Sequence, residues 1–217
     1  MIKSYRNLKL SSLPDGLFAG ISPLPKTDRD HVVMEHSVES LSGRELLRQM
    51  IADRYNNGDP SFTTVKYEKP SASLNGDVIS VSFSHTSRNV AAVTSKEWVV
   101  GIDMESSERK VSTRLAERMK HSDETFKLYE NNPIIRIWTM KEAALKAIGT
   151  GLRKPMNSIC LESVTEEKFS VQFFNGIKAE IFSYQLTDQW ISICCISPEL
   201  TESYLSDVYV PIQKRRD

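Results

Sequence analysis

At 217 residues, with 40% hydrophobic and 26% charged residues, the chain is long enough to bury a substantial core and too apolar for disorder. Its 28 Lys and Arg balance its 28 Asp and Glu, so no global basic field recommends nucleic acid or an anionic membrane as the main partner. No stretch approaches the roughly 20 apolar residues of a membrane span, and residues 1–10 lack the apolar segment of a signal peptide, which predicts a cytoplasmic protein, mature as synthesised. Cys160, Cys194 and Cys195 show no Cys-x-x-Cys spacing and are expected as small buried apolar side chains in a reducing compartment.

Residues 1–35 are punctuated by Pro14, Pro23 and Pro25 and predict loops with a short strand around 17–21. Between 37 and 55 a helical pattern places Val38, Leu41, Leu47, Met50 and Ile51 on one side, with a stop at Asn56-Asn57-Gly58. Strands are predicted at 62–67, 77–83, 90–94 and 98–103, with Asn75-Gly76 as a hairpin turn. Helices follow at 113–120 and 123–130. Asn131-Asn132-Pro133 then reads as a cap with proline at the first helical position, opening a helix of about four turns that stops at Gly149-Thr150-Gly151. Strands at 158–162, 169–174, 177–184 and 190–196, with a hairpin at Asn175-Gly176, complete the chain. Two successive units of helix then antiparallel strands predict an α+β fold with a duplicated architecture.

Two short segments carry the chemistry. In Val100-Gly101-Ile102-Asp103-Met104-Glu105 the strand period points Asp103 and Glu105 to one face, about 7 Å apart, and leaves Trp98, Val100, Ile102 and Met104 on the other. Two carboxylates on one strand face suit a cation. In the long helix, Ile137, Met140, Ala144, Ala147 and Ile148 gather into an apolar stripe, while Ile135, Trp138, Glu142, Lys146 and Gly149 lie opposite, as the wall of a cleft. Taken alone, Glu142 and Lys146 at i, i+4 would be an ordinary surface ion pair, and an Asp-x-Glu at a strand end a solvated edge.

Taken together, Gly-Ile-Asp-x-Glu at 101–105 and Trp-x-x-Lys-Glu-Ala-x-x-Lys at 138–146 resemble the signature pair of the 4′-phosphopantetheinyl transferases of the surfactin-synthetase-activating type. Lys69-Pro70 and Ser82-Phe83-Ser84-His85-Thr86 match a third element of that family, in the family's order. The resemblance implies two similar helix-plus-antiparallel-sheet halves related by a pseudo-twofold, here 1–100 and 101–217, with the active site in the cleft between them. It implies transfer of the phosphopantetheine arm of coenzyme A to a serine of an acyl or peptidyl carrier protein, in secondary metabolite biosynthesis among other pathways, by a monomer. Asp103, Glu105 and Glu142 would bind Mg²⁺ with the pyrophosphate completing its oxygen shell. Glu142 would take the serine proton, directly or through a water, and Lys146 would steady charge on the leaving phosphate. Lys69, Ser84 and His85 match positions that hold the nucleotide end of coenzyme A; Lys141 would contact phosphate or pair with Asp103 or Glu105. Where the family often has an arginine in its amino-terminal helix, this sequence has Glu39, preceded only by Lys26 and Arg29; Arg44 and Arg48 lie nearby. A carrier would dock on 111–119 and 126–129, with Arg109, Lys110, Arg114 and Arg118 supplying charge. The competing readings are another Mg²⁺-dependent phosphoryl-transfer enzyme acting on nucleotides, and a non-catalytic binder of carrier protein or coenzyme A.

Overall fold

The structure, a computed structural model, describes residues 2, 4–25, 38–55, 58–63, 69–197 and 199–200. Two antiparallel sheets form its centre. The first runs β1 (Arg6–Asn7), β2 (Phe18–Pro23), β3 (Ser61–Thr63), β4 (Ser71–Leu74), β5 (Asp77–His85) and β6 (Asn89–Ser95), in the order β1-β2-β6-β5-β4-β3. The second contains β7 (Val99–Ser106), β8 (Cys160–Ser163), β9 (Lys168–Gln172), β10 (Lys178–Leu186) and β11 (Gln189–Ile196), in the order β7-β11-β10-β9-β8. Apart from β1, the two orders are the same: an opening strand pairs with the last strand of a four-stranded meander. Helix α1 (Val38–Arg54) follows the opening strand of the first unit. Helices α2 (Thr113–Met119), α3 (Phe126–Asn131) and α4 (Ile134–Ala147) follow that of the second. The α+β duplication expected from the element order is therefore present in the topology.

Strand alternation sorts the apolar residues into three cores. Val90 and Ala92 face α1 with Leu46, Leu47, Met50 and Ile51. Their neighbours Ala91 and Val93 face the second sheet, meeting Val100, Ile102, Met104, Phe182 and Ile193. On the outer side of that sheet Cys194, Ile181 and Val171 pack on α4, while the adjacent Cys195 faces inward. The order of layers is helix, sheet, sheet, helix. All three cysteines are unpaired and Cys194 and Cys195 are buried. None of the described helices is long and apolar enough to cross a membrane.

Several expectations are corrected. β4 was not anticipated; its four residues pair with β5 across Asn75 (φ 54°) and Gly76 (φ 90°), the double positive φ that a two-residue hairpin demands. The predicted strand at 62–67 is described only as far as Thr63: residues 64–68 lie outside the described set, as do Lys26, Arg29, His31, His36, Asn56, Asn57 and the basic tail at 214–216. α3 starts at Phe126 rather than 123, because the Thr125 hydroxyl accepts from Leu128 N and fixes the start there. Asn132 does not cap α4. Its amide donates to Leu128 O, and its Oδ1 accepts from the buried Arg136 guanidinium, while Pro133 occupies the cap position itself. The apolar stripe on α4 is not one-sided either. Ile135 and Trp138 are buried with the rest, against Met119, Leu128 and Met156, so α4 is enclosed by α2, α3 and the loop after it as well as by the sheet.

Candidate active site

β7 sits at the edge of the second sheet, and its two faces do different work. Val100, Ile102 and Met104 fill the core between the sheets, whereas Gly101 and Asp103 face α4. A Cβ on Gly101 would lie 2.1 Å from Ala143 O and 2.4 Å from Ala147 N, so the helix backbone rests directly on the strand. This close approach brings α4's polar residues to Asp103. Of the helix residues only Ile134, Glu142 and Lys146 are not buried.

Asp103 is 2% exposed. Its Oδ1 accepts from Lys146 Nζ at 2.7 Å and from Ser84 Oγ at 2.8 Å; Lys146 Nζ also lies 3.2 Å from Ser84 Oγ and 3.6 Å from Glu142 Oε1. Asp103 Oδ2 is buried without a hydrogen-bond partner. A carboxylate oxygen left bare in this way has lost its water and gained nothing in exchange, which is costly unless a cation or donor can reach it. Glu142 titrates above the ordinary carboxylate range, first because burial disfavours its charge and second because Asp103 is close; Lys146 and Arg109 pull the other way. Glu105 pairs with Arg109, whose guanidinium stands 5.2 Å from the centre of the Trp138 ring. Among the described residues, no three acidic or metal-ligating side chains converge closely enough to hold an ion as they stand. Lys146 and Arg109 occupy the space between the acids. The donor set nevertheless fits a hard cation: all oxygen, with Asp103 Oδ2 unspent and Glu142 beside it.

The seam between the sheets is made by side chains. Ser80 Oγ accepts from Val100 N, Ser82 Oγ accepts from Ile102 N, and Ser84 Oγ donates to Asp103, so every second residue of β5 presents a hydroxyl to β7. That Ser-x-Ser-x-Ser period is visible in the sequence, and the signal was missed. Lys69 Nζ donates to Val81 O at 3.0 Å and to Val100 O, across the same seam. Burial lowers this ammonium to about 7. Lys69, Pro70, Val81, Phe83, Lys146 and Arg153 line a pocket of about 250 Å³ next to the acidic cluster.

One predicted residue stands elsewhere. Lys141 does not reach Asp103, Glu105 or the pocket. It is fully buried, donating to Met119 O, Met156 O and Ile159 O at 2.7–3.2 Å and pairing with Glu124 Oε1 at 2.6 Å. One helical residue before Glu142, it points to the opposite flank of α4, which corrects its assignment as a phosphate contact. Glu124, unanticipated, is equally buried and also accepts from Leu161 N, His121 N and Tyr129 Oη. His85 is exposed at the end of β5. Arg48 is paired with Asp59. On the prospective carrier face Phe126 is 70% exposed and Leu115 36% exposed, while Arg109 is drawn to Glu105.

Residues 99–194 match the 4′-phosphopantetheinyl transferase superfamily. The chain is similar to the 4′-phosphopantetheinyl transferase ffp of Bacillus subtilis, at 25% identity over 77% of this chain and 78% of that one. It is likewise similar to the 4′-phosphopantetheinyl transferase gsp of Aneurinibacillus migulanus, at 25% identity over 76% and 71%, and to the transferase Sfp of Bacillus subtilis strain 168, at 24% over 77% and 78%.

Proposed function

We infer that the chain belongs to the 4′-phosphopantetheinyl transferase superfamily and that it moves the 4′-phosphopantetheine arm of coenzyme A onto a serine hydroxyl of an acyl or peptidyl carrier protein, releasing adenosine 3′,5′-bisphosphate. The observation that carries the reading at residue level is the junction of Asp103 with Glu142 and Lys146 across β7 and α4, with Asp103 Oδ2 bare. The reaction forms a bond from the serine oxygen to the pantetheine-bearing phosphorus and breaks that phosphorus from the bridging oxygen of the pyrophosphate. A neutral hydroxyl attacking a polyanion needs its proton removed and the electrons on the leaving oxygen held.

Glu142 is the proton acceptor in this scheme. Its raised affinity for protons matches it to a hydroxyl better than an ordinary surface carboxylate would. Lys146 leaves Asp103 for the pyrophosphate and follows the charge to the departing phosphate; opposite unit charges 4 Å apart at an effective dielectric of 20 attract by about 4 kcal/mol. Asp103 and Glu142, with Glu105 once Arg109 releases it, would hold Mg²⁺. When bound, that ion would neutralise phosphate charge and bridge substrate to protein. Ser84 keeps Asp103 oriented throughout. The division into halves at 1–100 and 101–217 belongs to the same proposal, as does a cytoplasmic setting, in keeping with three unpaired cysteines.

The test is incubation of the purified chain with coenzyme A, Mg²⁺ and several apo carrier proteins, read by intact mass. The parent should add one phosphopantetheine to the carrier. Asp103→Ala and Glu142→Gln should each abolish that addition while the fold persists by circular dichroism; near-normal modification by either variant refutes the roles of these two carboxylates.

A further inference from the structure

Between β7, which carries Asp103, and α4, which carries Glu142, the chain makes an excursion through α2 and α3, residues 107–133. Apolar packing holds it at few points: α2 buries only Met119 and α3 only Leu128, while Leu115 and Phe126 are exposed. Its other attachment is polar and converges on one side chain of α4. Four oxygens surround the Lys141 ammonium: Met119 O at the end of α2, Met156 O in the short 3-10 turn Met156–Ser158, Ile159 O just after it, and Glu124 Oε1. Glu124, between the two helices, gathers the rest. Its oxygens accept from His121 N, from Tyr129 Oη on α3 and from Leu161 N on β8. Both members of the pair are fully buried.

We propose that Lys141, acting through Glu124, is a positioning residue that sets the α2–α3 excursion against the catalytic helix, and that the excursion holds the carrier protein so that its serine reaches Glu142. The inference rests on the proposed function. A buried ion pair adds little stability over apolar side chains of the same volume, which leaves the fixing of one arrangement as what this one supplies. Lys141 precedes Glu142 by one residue, so a shift of the excursion relative to Lys141 is a shift relative to the proton acceptor. On α2 the exposed Arg114, Leu115 and Arg118 combine positive charge with an apolar side chain, which suits an acidic amphipathic helix. Among the described residues, the pocket beside Asp103 is lined from Lys69, Pro70, β5 and the end of α4 onward, and by nothing from the excursion. The lock therefore acts on the acceptor and not on the donor.

The test varies the carrier at saturating coenzyme A in the full-length chain, and measures coenzyme A binding separately by calorimetry. Lys141→Met/Glu124→Gln removes both buried charges. It should lower kcat/KM for the carrier by about 10- to 100-fold, the range for a reacting group displaced by about 1 Å, while the Kd for coenzyme A stays within twofold of the parent. Phe126→Ala, on the exposed face, should weaken carrier use in the parent and cost less in the double variant, whose docking face is already out of register; a pair that is merely structural predicts effects that add. Tyr129→Phe removes one bond to Glu124 with the ion pair intact, and should show the same selective loss in smaller measure. Parent-like carrier kinetics in the double variant overturn the inference or, should that variant not fold, parent-like kinetics in Tyr129→Phe do. An equal loss of coenzyme A affinity, additive effects of Phe126→Ala, or no effect of Phe126→Ala on the parent overturn it as well. In each of these cases the parent still modifies carrier, so the functional reading stands. A parent that modifies no carrier overturns both.

Discussion

Gly101→Ala isolates the contact on which the site's geometry depends. The added methyl would lie 2.1 Å from Ala143 O, 2.4 Å from Ala147 N and 2.9 Å from Ala147 Cα. All three are backbone atoms of a helix enclosed on nearly every side, so no flexible side chain can give way. An unstrained carbon-to-oxygen contact needs roughly 3.3 Å, which obliges α4 and β7 to separate by about 1 Å. Overpacking of this kind costs about 1–3 kcal/mol, and for a chain of this size each ~1 kcal/mol lowers Tm by about 2–4 °C. The same retreat would stretch the 2.7 Å Lys146–Asp103 bond past hydrogen-bonding range. Misplacement of a reacting group by 1 Å costs up to about 10²-fold in rate. Gly76→Ala is the control: its φ of 90° makes alanine strained, but nothing lies within 4 Å of the new methyl. Carrier modification and thermal unfolding should be measured on both. Gly101→Ala should lose far more turnover than its Tm loss explains, and Gly76→Ala should lose stability alone. A Gly101→Ala variant within twofold of the parent in turnover, with unchanged Tm, would refute the claim that this glycine sets the distance between strand and helix.

Three further outcomes follow from the buried charges. Lys141→Met strands the Glu124 carboxylate in the interior and should destabilise the chain by about 3–5 kcal/mol, with Lys141→Met/Glu124→Gln recovering part of it; denaturant unfolding that shows no difference from the parent contradicts the buried pair. Burial and Asp103 raise the Glu142 carboxyl, so between the ordinary carboxylate pKa and the raised value the folded chain keeps a proton that the unfolded chain has released. This group's contribution to stability is therefore full below the ordinary value and is lost as pH rises through the raised one. Glu142→Gln should show a higher Tm than the parent near neutral pH although it is inactive, and the gap should close on acidification; a lower Tm for the variant at neutral pH would contradict that sign. Ser84→Ala removes one hydrogen bond from Asp103, worth about 1.5–3 kcal/mol to a charged partner, and should lower kcat with little change in KM for coenzyme A; a KM effect alone would make Ser84 a ligand contact instead.

What the sequence made legible follows from how regular each element is. β7 reads cleanly because only one of its faces is apolar, so the alternation of Val100, Ile102 and Met104 with Asp103 and Glu105 survives in the structure. α4 misled for the opposite reason. Packed by the sheet on one side and by α2, α3 and the following loop on the other, it buries Ile135, Trp138 and even Lys141, and leaves only Ile134, Glu142 and Lys146 unburied, too few to mark the flank of Lys141 as interior. Lys141 looked like a ligand because it matches the first lysine of the family motif and falls at the side of the helix. Its three carbonyl partners, Met119, Met156 and Ile159, lie 15 to 22 residues away from it along the chain, and no local pattern announces them. The identities of Asp103, Glu142 and Lys146 were readable from two motifs. Their meeting was implied by the family resemblance alone, because its physical cause, a backbone contact at Gly101, is something only packing reveals.

The hydroxyl row on β5 also decides how the molecule is joined at its middle. Among the described residues, β5 and β7 share no main-chain ladder, so each sheet keeps its own register and neither dictates that of the other. The placement of β5 and its Ser84 against Asp103 is consequently set by the length of a serine and the reach of one lysine. Ser82→Cys or Ser82→Thr would reset that spacing while leaving the pairing within both sheets untouched, which makes this joint the natural dial for tuning the enzyme.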